Sequence, residues 1–366
     1  MSLNAIDNAT APVDSAPVDG AQLTVSRKAE HIRINLEEDV SAKGVATGFD
    51  DWRFVHRALP EIDLSAVDLR ASLLGRVLDA PLLISCMTGG TEQARVINSR
   101  LARAAQQRGL AMGLGSCRVL LERPEVLSTF DVRPIAPDIL LLANLGAVQL
   151  NHGVGAQDCR RLLDMLGADI LVLHLNPLQE ALQPEGDTNF AGLLERIAQL
   201  CAALDAPVIV KEVGWGIAGD QVVALLESGV AGVDVAGAGG TSWSEVERHR
   251  ISDAQRARVA AAFAGWGIPT ADAIVRAREA APSATLIASG GVRSGIEVAK
   301  AIGLGADLVG MAGPLLRAAS AGDEPLSESL DAILEELRLS MFCVGAPTTA
   351  ALRSTDRLER MDAATS

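Results

Sequence analysis

The sequence predicts an α/β fold, a (β/α)₈ or TIM barrel with a short N-terminal extension. Short apolar runs recur from residue 81 to residue 311, and amphipathic stretches of helical length separate them. Eight such runs occur, which is the number of strands that closes a parallel sheet into this barrel. The chain has 366 residues and is 49% hydrophobic, enough for one large core.

The eight candidate strands are short and mostly apolar, as buried strands are. They span residues 82–85, 110–114, 139–143, 170–173, 208–211, 232–235, 286–288 and 308–311. Candidate helices include residues 92–108, 191–204, 220–227 and 296–302, and residues 327–342 predict a final amphipathic helix. The longest interval lies between the sixth and seventh strands, so we expect it to hold an active-site loop.

Three segments divide the chain. Residues 1–25 are rich in Ala, Pro, Asp and Ser without periodicity, and they predict a disordered tail. Residues 26–345 predict a single barrel domain, in which an N-terminal clamp segment and a small cap at residues 48–76 precede the first strand. Residues 346–366 are again small and polar, and they predict a C-terminal tail.

Composition excludes several classes of protein. The net charge of -14 argues against nonspecific binding to nucleic acid. No apolar run approaches the length of a membrane span, and the N-terminus lacks the pattern of a signal peptide. The five cysteines are scattered without a CxxC pair, which indicates neither a disulfide framework nor a zinc site. We therefore expect a cytoplasmic protein with no membrane partner.

Polar chemistry is concentrated in residues 171–187, after the fourth predicted strand. Seven polar side chains follow that apolar run: His174, Asn176, Gln179, Glu180, Gln183, Glu185 and Asp187. The carboxylates could hold a hard cation, and the amides could orient a polar ligand. A polar loop with a helix cap is the alternative. The number of such groups behind one strand favours a site.

Small or polar residues follow the other strands as well, and in a barrel they meet at one rim. They occupy positions 87–90, 115–118, 144, 211–212, 236–241, 289–293 and 312–313. The glycine-rich turns after strands seven and eight predict a phosphate site. Lys211 predicts either an ion pair with Glu212 or Glu180, or contact with an anion such as a reduced flavin. Arg27 and Lys28 predict a phosphate clamp or a solvated helix start, with neither favoured.

These residues resemble the type 2, FMN-dependent isopentenyl-diphosphate isomerases. The resemblance rests on motifs that run in order over nearly the whole chain after the tail. They are RKAEHI (27–32), MTGG (87–90), GSCR (115–118), ANLGA (143–147), HLNPLQEALQPEGD (174–187), VKEVGWG (210–216), DVAGAGGTSW (234–243), WGIPT (266–270) and ASGGVRSG (288–295).

The resemblance implies interconversion of isopentenyl and dimethylallyl diphosphate by a barrel that holds FMN and Mg²⁺, with a reductant such as NADPH. It implies that substrate contacts come from Arg27, Lys28, Ser116, Cys117, Arg118, His174, Asn176 and Gln179. It implies FMN contacts from Met87, Thr88, Gly89, Ser116, Asn144, Lys211, Thr241, Gly291, Val292, Arg293, Ala312 and Gly313. Glu180 would hold the metal, and Gln179 and Glu247 would relay protons.

The resemblance also suggests a homotetramer or homo-octamer that acts on a small-molecule diphosphate. Two positions depart from the family pattern, since Cys117 stands where Gln is common and Ala236 where Ser is frequent. An FMN-dependent oxidoreductase of 2-hydroxy acids is the main alternative. That chemistry requires a histidine base and an arginine pair at the far strand ends, and the seventh strand offers Arg293 but no histidine. A non-enzymatic barrel that binds a phosphate ligand is the second alternative.

Overall fold

The computed structural model describes residues 20–361, and side chains from residue 27 onward. The first element is helix α1 (Gly20–Glu37). Three short strands follow it: β1 (Trp52–Phe54), β2 (Ala71–Leu73) and β3 (Arg76–Leu78). The predicted N-terminal tail falls largely outside the described residues. Its predicted boundary at residue 25 is corrected, because α1 begins at Gly20 and runs through that position without a helix-breaking residue.

Eight parallel strands close into a barrel, as predicted. They are β4 (Leu82–Ile84), β5 (Ala111–Ser116), β6 (Leu141–Gly146), β7 (Ile170–His174), β8 (Val208–Lys211), β9 (Gly232–Asp234), β10 (Leu286–Ala288) and β11 (Leu308–Met311). Each strand pairs with the next in sequence, and β11 returns to β4. All eight overlap the runs expected from the sequence, because a barrel strand is buried on both faces and therefore apolar throughout.

Helices surround the barrel and connect its strands. They are α2 (Glu92–Gln107), α3 (Val119–Glu122), α4 (Ala156–Leu166), α5 (Pro177–Leu182), α6 (Leu193–Ala203), α7 (Gly219–Glu227), α8 (Trp243–Arg250), α9 (Ala254–Ala262), α10 (Thr270–Ala280), α11 (Gly295–Gly303), α12 (Gly313–Ala321), α13 (Asp323–Val344) and α14 (Thr349–Arg353). Short 3₁₀ turns occur at Phe49–Asp51, Leu64–Ala66, Pro124–Thr129 and Ala147–His152. Among residues 20–361, no helix combines the length and the apolar character needed to cross a bilayer.

The hairpin of β2 and β3 closes the amino-terminal end of the barrel. Its Leu73 and Leu78 are buried against the first residues of the barrel strands, including Leu83, Leu142 and Ile209. The apolar end of the barrel is therefore sealed by the cap, and the polar strand ends lie at the opposite, carboxyl-terminal face.

The C-terminal segment is packed against the barrel, which corrects the prediction of a tail after residue 345. Helix α14 buries Leu352, and Thr348 caps this helix by accepting a hydrogen bond from the backbone N–H of Ala351. A last strand, β12 (Leu358–Arg360), pairs antiparallel with β1. Both elements are so short that their apolar periodicity is not visible in the sequence.

Two arginine clamps tie loops together at the amino-terminal end of the barrel. Arg133 donates to the carbonyl oxygens of Gly167, Ala136, Pro137 and Ile139, and its guanidinium pairs with Asp169 at 2.7 Å. Asp169 also accepts from the backbone N–H of Leu141. This clamp thus joins the start of β6 to the residues just before β7.

The second clamp repeats this arrangement between β10 and β11. Arg278 donates to the carbonyl oxygens of Gly305, Ala281, Pro282 and Ala284, and it pairs with Asp307 at 2.9 Å. Asp307 accepts from the backbone N–H of Leu286. Because most of these carbonyls end helices or loops, the guanidinium satisfies acceptors that regular structure leaves unpaired.

Candidate active site

A cavity of about 390 Å³ opens at the carboxyl-terminal face of the barrel. The sequence-predicted residues that line it are Arg27, Lys28, Met87, Thr88, Gly89, Ser116, Arg118, Asn144, His174, Asn176, Gln179, Glu180, Lys211, Thr241, Gly291, Val292, Arg293, Ala312 and Gly313. They come from α1 and from all eight barrel strands or the turns that follow them, so residues scattered over the sequence are brought to one chamber.

Two predicted residues do not reach the cavity. Cys117 is completely buried, and its thiol donates to the carbonyl oxygen of Gly115 at 3.2 Å. The prediction that Cys117 contacts the substrate is therefore corrected: its side chain turns into the core behind Ser116. Burial raises the pKa of the Cys117 thiol to about 12, which keeps it an uncharged packing group. Glu247 is likewise completely buried and lies behind the cavity wall.

Glu247 acts on the cavity through two of its neighbours. Its carboxylate accepts from Nε2 of Gln179 at 3.1 Å, lies 3.0 Å from Nε2 of His31, and pairs with Arg250 at 2.6 Å. Burial alone would raise the pKa of Glu247, but the bonds and charges of His31, Arg250 and Gln179 outweigh it and hold the pKa below its usual value. A charged Glu247 therefore fixes the amide of Gln179, which lines the cavity.

The hydrogen bonds continue from Gln179 to the predicted metal ligand. Nδ2 of Asn176 donates to Oε1 of Gln179 at 3.0 Å and to Oε1 of Glu180 at 2.9 Å. The other carboxylate oxygen of Glu180 accepts from the backbone N–H of Asp187 at 2.7 Å. Because Pro177 begins α5 and places these side chains on its first turn, Asn176, Gln179 and Glu180 form one connected row.

Cations gather at the end of the cavity where α1 crosses the barrel mouth. Nζ of Lys28 donates to the carbonyl oxygen of Ser116 at 2.7 Å and lies 4.9 Å from the centre of the Phe130 ring. Burial lowers the pKa of Lys28 to about 8, an effect that the charge of nearby Arg27 increases. Arg27 bonds to Gln183, and Arg118 pairs with Asp187 at 3.0 Å. An anion at this end would raise the pKa of Lys28 again and so favour its charged form.

His174 is held as a neutral base. Its Nδ1 lies 2.6 Å from Oδ1 of Asn144, so Nδ1 is the protonated nitrogen when that amide oxygen accepts. Burial lowers the pKa of His174 to about 3, and the positive charges of Lys211, Arg27 and Lys28 add to this effect. Nε2 of His174 therefore offers an acceptor to a ligand in the cavity.

Lys211 ends β8 beside two buried carboxylates. Its ammonium donates to the carbonyl oxygen of Glu212, whose own carboxylate instead accepts the backbone N–H groups of Val213, Gly214 and Trp215. Asp234 is aligned with Lys211 on the next strand and accepts from Ser289 at 2.7 Å. Burial raises the pKa of Asp234, although Lys211 opposes this effect. Among the residues described, neither Glu212 nor Glu180 forms an ion pair with Lys211. The ammonium of Lys211 lines the cavity.

Glycines at the far end of the cavity form a backbone cradle. A Cβ atom on Gly240 would lie 2.5 Å from the backbone nitrogen of Gly291, and one on Gly290 would lie 2.1 Å from the carbonyl oxygen of Gly237. Gly290 and Gly291 also have positive φ angles, of 105° and 73°. Helix α12 begins beside them, and its N-cap, Ala312, provides no side-chain hydrogen bond. Its free N–H groups suit a phosphate.

Unpaired polar atoms in the cavity wall support a polar ligand. Within the described part of the chain, Oγ1 of Thr88 and Oδ1 of Asn176 are buried and have no hydrogen-bond partner. Burying such atoms without a partner costs about 1–3 kcal/mol each. A ligand with polar edges would remove this cost.

Several cavity residues were not singled out from the sequence. Trp243, Gln149 and Arg317 also line the chamber. Trp243 packs edge-on against His31, with ring centroids 5.1 Å apart. His31 and Trp243 lie inside the recognised motifs, so a closer reading of those motifs could have identified them. Arg317 lies outside these motifs, and its place on α12, which begins at Gly313, is what brings it to the cavity.

Few protein side chains could serve as ligands for the predicted metal ion. In the described ranges, no cluster of three or more His, Cys, Asp or Glu side chains could hold a metal ion. Glu180 alone offers a cavity-facing carboxylate in the row after β7, with both oxygens already anchored. A cation at Glu180 would therefore take its other ligands from water and from the substrate, as Mg²⁺ often does at phosphate sites.

Comparison with known proteins identifies the family. A family model described as FMN-dependent dehydrogenase matches residues 22–121 and 176–359. A protein from Nostoc sp. named isopentenyl-diphosphate delta-isomerase is 52% identical over 343 residues, which are 94% of this chain and 98% of that protein. The chain belongs to the isopentenyl-diphosphate delta-isomerase family. It is therefore an enzyme of this type, and the resemblance seen in the motifs is confirmed.

Other members of the isopentenyl-diphosphate delta-isomerase family are similarly close. Relatives of that name from Synechococcus sp. and Rickettsia bellii are 55% and 50% identical, over 92% and 91% of this chain and 97% of each relative. Solved structures share the fold at lower identity. Mandelate oxidase with 3,3-difluoro-2-hydroxy-3-phenylpropionic acid gives a TM-score of 0.61 at 19% identity and covers 93% of this chain and 98% of its own. This likeness shows the barrel alone.

Proposed function

We propose that this enzyme interconverts isopentenyl diphosphate and dimethylallyl diphosphate, using reduced FMN and Mg²⁺. The observation that carries the proposal is a cavity with two separate anion-binding ends. Arg27, Lys28 and Arg118 surround one end, and the glycine cradle with the N-terminus of α12 forms the other. One phosphate-bearing ligand needs only one such end, so two ends support a cofactor and a diphosphate bound together.

The residues of the chamber fit FMN. The buried, unpaired Oγ1 of Thr88, the amide of Asn144 and the ammonium of Lys211 would hold the polar edge of its ring. Gly291, Val292, Arg293, Ala312 and Gly313 would hold its phosphate. Bound and reduced, FMN supplies an electron-rich ring with acid–base capacity, which side chains lack for an unactivated alkene. The family model and the names of the relatives support this cofactor. NADPH as reductant follows from the resemblance alone.

The chain's own groups bind and orient the substrate. Arg27, Lys28 and Arg118 would hold the diphosphate, with Glu180 anchoring a magnesium ion against it. Gln179 is buried and fixed by Glu247, so its amide would keep one orientation beside the alkene. Neutral His174 would accept a hydrogen bond at Nε2. Glu247 is ionised and does not reach the cavity, so in a proton relay its Oε1 would accept a proton, and its contact with the cavity would run through Gln179.

Two experiments test the proposed function. Purified protein should show the absorption of bound FMN, and the reduced enzyme with Mg²⁺ should convert isopentenyl diphosphate to dimethylallyl diphosphate without net change in flavin oxidation state. A 2-hydroxy acid that reduces the flavin stoichiometrically, with no product from isopentenyl diphosphate, would instead support the oxidoreductase. A colourless protein would favour the phosphate-binding barrel. Cytoplasmic location and a homotetramer or homo-octamer stay predictions.

The low pKa of Lys28 predicts an alkaline limit to substrate binding. Above about pH 8 the free enzyme loses this charge, so kcat/KM should fall about tenfold per pH unit. Lys28→Arg keeps a charge over this range, and its kcat/KM should stay level to a higher pH. The pH profile of both proteins measures this.

Titration of Lys28 has opposite effects on binding and on stability: as the pH rises above about 8, substrate binding weakens while the folded state becomes more stable. Because the pKa of Lys28 is lower in the folded than in the unfolded chain, its charge destabilises the fold below about pH 8. This cost disappears as the pH rises from about 8 to 10.5. A loss of binding above pH 8 thus cannot be explained by Lys28 unfolding the protein. The control is Lys300→Arg, a change far from the cavity, which should keep the wild-type dependence of kcat/KM on pH. If kcat/KM of Lys28→Arg falls at the same pH as that of the wild type, Lys28 is not the group that limits binding.

A further inference from the structure

The turn after α5 folds back onto the helix that carries Glu180. Gln183 donates its backbone N–H to the carbonyl oxygen of Gln179, and Gly186 donates to that of Gln183. A Cβ atom on Gly186 would lie 1.8 Å from the carbonyl oxygen of Glu180, so only glycine permits this approach. The turn thereby brings the backbone N–H of Asp187 to 2.7 Å from Oε2 of Glu180.

The side chain of Asp187 bonds to two other groups of the cavity wall. Its Oδ2 accepts from Nη1 of Arg118 at 3.0 Å and from Nε2 of Gln149 at 2.9 Å. Nε2 of His152 lies 3.6 Å from Oδ1. Arg118 and Gln149 line the cavity, whereas Asp187 stands behind them. A carboxylate oxygen that accepts from both a guanidinium and an amide fixes the position of both donors.

We propose that Asp187 is a positioning residue for the diphosphate end of the cavity, where its backbone orients Glu180 and its carboxylate orients Arg118. The proposal rests on the proposed function. The side chain of Arg118 is 38% exposed, and its other acidic partner, Glu122, is more distant at 3.6 Å and is itself exposed. Without Asp187, Arg118 would have to lose its rotamer freedom when the substrate binds, and this loss of entropy would weaken binding.

Two opposite effects act on a bound anion, and geometry decides between them. The charge of Asp187 repels a diphosphate, but the carboxylate lies outside the cavity, behind the guanidinium. The nearer cation then dominates, since Coulomb energies fall with distance. Asp187 therefore favours binding through Arg118 and through the metal-facing orientation of Glu180.

The test is the affinity of the FMN-loaded enzyme for inorganic pyrophosphate with Mg²⁺, measured by calorimetry. Asp187→Asn keeps the backbone N–H and the size of the side chain but removes the charge that holds Arg118. We expect its dissociation constant to rise by about tenfold. KM for isopentenyl diphosphate should rise similarly with kcat little changed, because Asp187 touches no reacting group. FMN affinity and melting temperature should stay near those of the wild type.

Two controls separate positioning from other effects. Asp205→Asn removes a similar arginine partner at the surface, where Asp205 pairs with Arg160 at 3.1 Å, and it should leave pyrophosphate affinity unchanged. In an Arg118→Gln background, Asp187→Asn should have little further effect on pyrophosphate affinity, because the two residues act through one contact. If Asp187→Asn does not fold, Asp187→Glu keeps the charge and should give an intermediate affinity.

Three results would overturn the role of Asp187. They are wild-type pyrophosphate affinity in Asp187→Asn, an undiminished effect of this change in the Arg118→Gln background, and a loss of FMN equal to the loss of pyrophosphate. Failure of the proposed function is distinct from these. Wild-type enzyme that binds pyrophosphate but does not isomerise isopentenyl diphosphate would sink that function, whereas weaker pyrophosphate binding by Asp187→Asn would still support the positioning role.

Discussion

Glu180→Gln should lower turnover of isopentenyl diphosphate by on the order of a hundredfold, about 2.7 kcal/mol in the activation barrier. The carboxylate of Glu180 and a diphosphate repel each other unless a cation lies between them. Glutamine keeps the size of the side chain but removes the charge that attracts the cation, and its single oxygen can accept from Asn176 or from the backbone of Asp187 but not from both. Activity titrated against Mg²⁺ should show a midpoint at higher concentration in Glu180→Gln.

FMN content separates this effect from a general disturbance of the cavity. The glycine cradle is formed by other strands, so Glu180→Gln should retain the cofactor. Glu195→Gln, an exposed change on α6, serves as the matched control and should behave as wild type. Superimposable Mg²⁺ titrations of wild type and Glu180→Gln would mean that the metal, if required, is held elsewhere.

Lys211→Ala should weaken FMN binding by roughly 10- to 150-fold, the equivalent of about 1.5–3 kcal/mol for a charged hydrogen bond. Lys211 is buried and lines the cavity, and within the described part of the chain its ammonium donates to a backbone carbonyl and forms no ion pair with a carboxylate. A reduced flavin is anionic, so an ammonium at this strand end would stabilise it. Titration of apoenzyme by FMN fluorescence gives the dissociation constant without requiring activity.

The control for Lys211→Ala is Lys300→Ala. Lys300 is also a partly buried lysine that donates to a backbone carbonyl, that of Phe49, but it lies away from the cavity. Lys300→Ala should therefore keep full FMN affinity. Unchanged affinity in Lys211→Ala would show that its ammonium only stabilises the end of β8.

The barrel could be predicted from the sequence because its strands are buried on both faces, and such strands are visible as uninterrupted apolar runs. Strand ends were equally readable, since His174 and Lys211 each interrupt an apolar run where the chain reaches the rim. The elements α14 and β12 were missed because a handful of residues carries too little periodicity to distinguish a packed segment from a tail.

The orientation of single side chains could not be predicted. Cys117 follows Ser116 directly, but the helical turn that begins after β5 sends the thiol into the core. The contact of Glu247 with Gln179 joins residues 68 positions apart, and only the closed fold brings them together. Asp187 was visible as one of seven polar residues, whereas its bond to Arg118 depends on the turn that Gly186 permits.

The two arginine clamps repeat one local arrangement on opposite sides of the barrel. Arg133 and Arg278 hold carbonyls at the same offsets of three, four and six residues, and each pairs with the aspartate of a Gly-Ala-Asp sequence. The clamped strand pairs, β6–β7 and β10–β11, stand four strands apart in the ring, on opposite sides. Above one pair lies the row from His174 to Glu180, and above the other the glycine cradle. The polar row after β7 and the glycine cradle therefore lie above two strand pairs that are fastened at their opposite ends by clamps of the same design.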